Sequence, residues 1–225
     1  MTNVSIVTTC KGRLSYLKRS LPSWLAQDCG PDIEYDIIVV DFGCPDRAAD
    51  WCTSLGISRI RTLRAVNDVD IFNLARARNI GGRSSHAEFL AFVDADIELK
   101  PCFIRRHVGA MLARRCNIIS DGVLAAGEQL TMSLCTVERA VFDSLRGFDE
   151  SFKDYGHEDT DFYRRCDAHG WHREWWHVDA IIRVCSDDER TRFYANKNIS
   201  ESITLNAARM ADAARPVNTG EWGQP

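Results

Sequence analysis

Two uninterrupted apolar runs, each ended by an acid, place the strongest limit on what this chain can fold into. Tyr35-Asp36-Ile37-Ile38-Val39-Val40 stops at Asp41 and Gly43, and Glu88-Phe89-Leu90-Ala91-Phe92-Val93 stops at Asp94-Ala95-Asp96. A strand with one wet face alternates apolar and polar residues, whereas a continuous run of β-branched and aromatic residues is covered on both faces. Helices must then lie above and below the sheet, and the intervening segments should carry helical spacing. Leu14, Leu17, Leu21 and Leu25 recur in that way and predict a helix over 13–27. Pro22 interrupts it, because a proline inside a helix removes one hydrogen bond and crowds the preceding turn.

The alternation continues along the chain. Val4 to Thr8 predicts the first strand, closed by the polar turn Thr9-Cys10-Lys11-Gly12. Ala48 to Leu55 predicts a short helix, Arg59 to Leu63 a third strand, and Phe72 to Ser85 a longer helix weakened near its end by Gly81 and Gly82. This is the pattern of an α/β fold with a mixed central sheet, whose parallel core is flanked by helices. Beyond residue 100 the order is less regular: a basic helix over 102–115, a strand over 117–120, a loop over 121–128, a strand over 130–136 and a helix over 138–145. A helix from Thr160 to Ala168 ends before Gly170; strands follow over 171–184, and helices over 189–195 and 201–214. No repeat or linker divides the chain, so one domain is expected over 1–215, with 216–225 as a flexible tail.

Charge narrows the function. A formal net charge of -4, from 28 basic and 32 acidic residues, argues against a chain that binds by neutralising nucleic-acid phosphates. The opening MTNVSIVTTC lacks the pattern of a signal peptide, and no apolar run approaches the ~20 residues of a spanning helix. The nine cysteines contain no C-x-x-C pair, which suits buried free thiols in a cytoplasmic protein better than a zinc finger or a disulfide scaffold.

The chemistry concentrates at two places. Asp94-x-Asp96 follows a buried strand directly, at the end where open α/β sheets bind ligands. Two neighbouring carboxylates repel each other unless a cation neutralises them, and a hard divalent metal with oxygen ligands would also hold a diphosphate. Asp41 ends the other buried strand, so three acids are expected to face one crevice. The second place is Gly147-Phe148-Asp149-Glu150-Ser151-Phe152 followed by Gly156-His157-Glu158-Asp159-Thr160-Asp161-Phe162. Asp159 and Thr160 could simply cap the helix that follows, but capping accounts for one acid and not for the cluster. Near a metal-held donor, a carboxylate there would serve as the base that takes a proton from an attacking hydroxyl. Trp175 and Trp176 read as core packing, and His169, His172 and His177 as surface or satisfied histidines.

Taken together, SIVTTCKGR, IIVVDFG, FNLARARNIGG, FLAFVDADIEL and GFDESFKDYGHEDTDFYRR resemble the GT-A glycosyltransferases, the nucleotide-diphospho-sugar transferase fold. Family 2 enzymes and the catalytic domains of chondroitin polymerases and β1,4-galactosyltransferases are the most similar, over about residues 4–195. The resemblance implies an inverting transferase that takes a sugar from a nucleotide-sugar donor, usually a UDP-sugar, to a glycan or other hydroxyl acceptor. It implies a nucleotide-binding half over 1–100 and an acceptor-binding half over 101–215. Thr8, Arg13, Asp41, Phe72, Arg78, Asn79 and Asp94 match donor-binding positions, and Asp96 with Asp94 the ligands of Mn2+ or Mg2+. Gly156, His157 and Glu158 match the acceptor site and Asp159 the general base; related retaining enzymes carry Asn in that place. Two departures stand out. Leu74 occupies a position where galactosyltransferases have Arg, and Cys185, a soft ligand for such metals, falls where a third ligand is usually His, with His177 and Asp187 as nearby substitutes. A weakly active homologue that binds nucleotide or glycan, and a sugar nucleotidyltransferase, are the alternative readings. Contact with a membrane face or a lipid-linked acceptor stays open.

Overall fold

A computed structural model of the chain describes residues 1–65, 71–124, 130–177, 180–182, 187–212 and 215–225. Its centre is the apolar strand β1 (Thr2–Cys10), paired in parallel on one side with β2 (Ile33–Asp41) and on the other with β4 (Phe89–Phe92). β3 (Ile60–Arg64) extends the parallel set beyond β2. Antiparallel β7 (Leu130–Glu138) then pairs with β4, followed by β6 (Ile118–Leu124) and β8 (Arg173–His177), giving the order β3-β2-β1-β4-β7-β6-β8. The mixed sheet with a parallel core expected from the apolar runs is the one observed.

Helices cover both faces. α1 (Leu14–Leu25) and α4 (Phe103–Leu112) bury Leu17, Trp24, Phe103 and Val108 against Ile6, Ile37 and Ala91. On the other face α3 (Leu74–Ser84), α5 (Arg139–Ser144) and α6 (Glu158–Ala168) enclose Phe92, Phe142, Phe148 and Phe162. α2 (Ala48–Ser54) packs beside β2 and β3. Pro22 does not break α1, because it lies on the exposed face. Water there can take the Lys18 carbonyl that the missing N–H leaves.

Several boundaries differ from the sequence reading. A short strand β5 (Ile97–Leu99), directly after Asp96, pairs antiparallel with β9 (Ala180–Ile182). Three residues are too few to show a period. β6 runs on to Leu124, into the stretch expected as a loop. α6 begins at Glu158, two residues before the expected start. α7 (Asp187–Thr191) and α8 (Ile199–Ala211) follow β9. No helix among the described residues is long and apolar enough to cross a membrane.

The stretch 216–225, expected as a flexible tail, lies against the fold instead. The Trp222 ring meets Phe142 at 5.5 Å and lies under the guanidinium of Arg83 at 5.0 Å. Asn218 donates to the Phe148 carbonyl at 2.6 Å and accepts the Glu150 N–H at 2.9 Å, while the Gly223 N–H donates to Glu150 Oε1 at 2.7 Å. One aromatic ring with several backbone contacts is enough to order a polar segment.

Candidate functional site

The strand order reverses at β1, which has β2 on one side and β4 on the other, and such a switch point opens a crevice at the carboxyl ends of the strands. Three stretches meet there: the β1–α1 loop with Arg13, the Asp94–Asp96 turn after β4, and the start of α6 with Glu158 and Asp159. Their convergence is visible in one side chain. Arg78, on α3 and 3% exposed, donates through Nη2 to Asp94 Oδ1 at 2.9 Å and through Nη1 to Glu158 Oε1 at 3.1 Å. The two acidic motifs are therefore one guanidinium width apart.

Asp96 is held on the other side by Arg13, whose Nη1 is 3.9 Å from Oδ2. Burial and then the neighbouring Asp94 charge push its carboxyl up to about 6, against the pull of Arg13 and Arg190. A carboxylate in that condition is short of positive charge, and an oxygen-seeking divalent cation fits the donor set of Asp94 and Asp96. Among the described residues no three His, Cys, Asp or Glu side chains stand together as a complete metal site. Cys185, the expected third ligand, lies outside the described residues, as do the side chains of His177 and Asp187.

The turn before α6 is unusual backbone. Asp154, Gly156 and His157 have φ of 63°, 96° and 73°, so the chain is left-handed at three of four successive positions. Non-glycine residues in that region carry a conformational cost, and such positions gather at binding sites. His157 is the residue immediately before the helix and its side chain makes no capping bond. Asp159 therefore sits within the first turn rather than capping it; it is half-buried, and its Oδ1 accepts the Thr160 N–H at 2.6 Å. Burial and then the Asp159 charge raise the Glu158 carboxyl above the usual glutamate range, while Arg78 draws it back.

An aromatic wall closes the other end of the crevice. Phe72 meets Phe42 edge-on at 5.6 Å and stacks on Tyr194 at 5.9 Å, and Lys11 donates through Nζ to the Phe42 carbonyl at 3.0 Å. Arg190, from α7, reaches the Tyr155 hydroxyl at 3.4 Å. Lys11, Tyr155, Arg190 and Tyr194 were not singled out in the sequence; only Lys11 carried a signal, its place in the turn after the first strand.

Two of the expected donor-binding residues, Asn79 and Asp41, hold partners within the protein. Asn79 is fully buried and spends its amide on the 147–150 turn, donating to the Phe148 carbonyl and Glu150 Oε1 and accepting the Phe148 N–H. It braces that turn from α3. Both Asp41 oxygens accept backbone N–H groups, from Cys44 at 2.7 Å and Ala49 at 2.8 Å, so this acid shapes its own loop. Thr8 is 1% exposed within the sheet, and its hydroxyl has no hydrogen-bond partner among the described residues. Trp176 packs partly buried against the core, as expected, with its ring 5.2 Å from that of His107.

Comparison with known proteins gives a consistent result. The sequence profile of "Glycosyl transferase family 2" matches residues 5–132, and that of "N-terminal domain of galactosyltransferase" matches residues 127–192. Among solved structures, S. aureus TarS 1–349 in complex with UDP-GlcNAc is similar with a TM-score of 0.69 at 14% identity, covering 96% of this chain and 68% of that one. The same TarS portion in complex with UDP gives 0.67 at 14% identity, covering 94% and 71%. Against the longer TarS structure the TM-score is 0.68 at 14% identity, with 96% of this chain and 41% of that one covered. No curated protein matches the sequence.

Proposed function

Because the chain belongs to glycosyl transferase family 2, we propose that it moves a sugar from a UDP-linked donor onto an acceptor hydroxyl with inversion at the anomeric carbon. The observation that carries this reading is the Arg78 bridge, which joins the acid expected on the donor side to the acid expected on the acceptor side. Single displacement requires donor and acceptor to meet in one place, and a buried arginine shared by both motifs supports that.

On this reading residues 1–100 bind the nucleotide and residues 101–215 the acceptor. The Phe72, Phe42 and Tyr194 rings offer a face to the base, and Arg13 and Arg190 lie on the diphosphate side of Asp96. A divalent cation held by Asp96 and Asp94 would offset the charge that grows on the departing diphosphate. Glu158 orients an acceptor hydroxyl, the turn at Gly156 and His157 shapes its pocket, and Asp159 takes its proton as the oxygen attacks the anomeric carbon. The bond from that carbon to the diphosphate oxygen breaks on the opposite face. TarS is crystallised with UDP and with UDP-GlcNAc, which supports a uridine donor for this chain.

Asp159→Asn is the direct test. It should leave UDP affinity nearly unchanged and lower turnover by about 100-fold or more, the usual loss on removing a general base. Turnover equal to that of the parent would remove Asp159 from the mechanism.

A further inference from the structure

Cys10 ends β1 and Cys44 lies in the loop after β2, and the sheet brings them together. Parallel pairing sets Cys10 beside Asp41, the Phe42 N–H donates to the Cys10 carbonyl at 3.1 Å, and the Cys44 N–H donates to Asp41 Oδ1 at 2.7 Å. The two sulfurs are 3.9 Å apart. Cys10 is fully buried and Cys44 is 8% exposed, so the pair has one member a small solute can approach. The Gly12 N–H donates to Cys44 Sγ at 3.2 Å. Gly12 and Gly43, with φ of 66° and 62°, are the hinges of the two loops that carry these thiols.

We propose that Cys10 and Cys44 form an oxidant-sensitive dithiol, a modification site at which a hydroperoxide converts the pair into a disulfide joining the β1–α1 and β2–α2 loops. The Cys44 thiol is held down to about 6 by the Cys10 hydrogen bond and then by backbone N–H groups, whereas burial holds Cys52 and Cys116 up at about 11. Cys44 is thus the nucleophile and Cys10 the resolving thiol.

The electron count closes with the peroxide alone. The Cys44 thiolate attacks one peroxide oxygen, forming an S–O bond as the O–O bond breaks; hydroxide leaves and takes up a proton as water. The Cys10 sulfur then attacks Cys44, forming the S–S bond and losing its proton, while the S–O bond breaks and the second oxygen leaves as water. Two thiols are oxidised by two electrons and one hydrogen peroxide is reduced to two waters. The sulfurs must close from 3.9 Å to a bonded ~2.0 Å, a motion the flanking glycines can absorb. Lys11 and Arg13 share the loop being drawn in, so the reaction occurs beside the proposed donor site but does not depend on that assignment.

The experiment is a hydrogen peroxide titration of the full chain in a Cys29→Ser background, because trypsin leaves Cys29 and Cys44 on one peptide. Denaturing alkylation and peptide mapping follow the quench. Cys10 and Cys44 should lose alkylation together, about tenfold or more faster than Cys52 and Cys116, in one cross-linked pair that a dithiol reductant reopens. Cys10→Ser should leave a sulfenic acid on Cys44 that a cyclic 1,3-dione traps, and Cys44→Ser should leave Cys10 unoxidised. Equal rates at all four thiols, a cross-link to another cysteine, or oxidation of Cys10 in the Cys44→Ser protein would overturn the proposal. UDP calorimetry on the reduced chain is run in parallel: absence of UDP binding counts against the donor reading alone, since the disulfide is scored without it.

Discussion

Replacing Arg215 by methionine should cost this protein about 3 kcal/mol of stability. Arg215 donates to Asp149 Oδ2 at 2.9 Å and also pairs with Asp161 Oδ1, and the three side chains are 12%, 1% and 3% exposed. Methionine keeps most of the apolar stem and removes the charge together with the guanidinium, which lies 5.2 Å from the Phe152 ring centroid. Removing one partner of a buried ion pair costs about 3–5 kcal/mol, because the remaining charge is left without compensation. The lower end applies here. Asp161 keeps Arg165 on Oδ2 at 2.8 Å, and Asp149 keeps the Ser151 N–H on Oδ1 at 2.9 Å.

About 3 kcal/mol corresponds to a fall in Tm of roughly 6–12 °C for a chain of this size. Thermal unfolding followed by circular dichroism measures it. The double variant Arg215→Met/Asp149→Asn separates charge from packing: with Asp149 neutralised and Asp161 still paired with Arg165, about 1–2 kcal/mol should return as coupling energy. A Tm within about 2 °C of the parent for the single variant would show that this bridge is worth no more than a surface pair, and the argument would fail.

Other changes have definite outcomes. A carboxyl pushed up to about 6 is harder to ionise in the folded chain than in the unfolded one. Its ionisation therefore lowers stability as pH rises from about 4 to 6, and a bound divalent cation should reverse that loss. The manganese-induced rise in Tm should be small at pH 5, larger at pH 7.5, and absent in Asp96→Ala; equal shifts at both pH values would exclude Asp96 as the ligand. Arg78→Lys should abolish turnover, because one ammonium cannot span two carboxylates on separate elements; turnover within twofold of the parent would refute the bridge. Gly147→Ala should destabilise by about 1–3 kcal/mol through overpacking, since a Cβ there meets Asn79 Oδ1 and stands 2.6 Å from the Trp222 ring in a left-handed backbone of φ 66°. Denaturant titration would show an unchanged midpoint if that packing were absent.

What could be read from the sequence was whatever a local rule controls. The apolar runs ending at Asp41 and Asp94 located strands buried on both faces, because that pattern depends only on which faces are wet. The paired motifs around Gly147 and Gly156 stood out as a cluster, because capping accounts for one acid at the opening of a helix and not for several together with the glycine turns before them. Roles settled by packing between distant residues were not legible. Asp41 and Asn79 have the right types for a nucleotide site, yet one caps its own loop and the other locks the 147–150 turn. Trp222 gave a signal that could have been used: a tryptophan in a polar, glycine-rich stretch has a large apolar surface to cover.

Charge makes the strongest connection between this geometry and a metal. Asp94, Asp96, Glu158 and Asp159 face Arg13, Arg78 and Arg190. Arg78 is already committed to two of the acids, which leaves Asp96 undercompensated and its carboxyl high. A nucleoside diphosphate would bring further negative charge into the same crevice, and like charges at that range oppose binding unless a cation stands between them. Two arginines can meet the phosphates, but they would do so by leaving Asp96, and the deficit would only move. A divalent cation held by Asp96 and Asp94 would supply the missing positive charge. The acids that repel one another in the crevice would thus be the ones that favour a metal-bound donor there, and loss of either carboxylate should weaken donor and metal binding together.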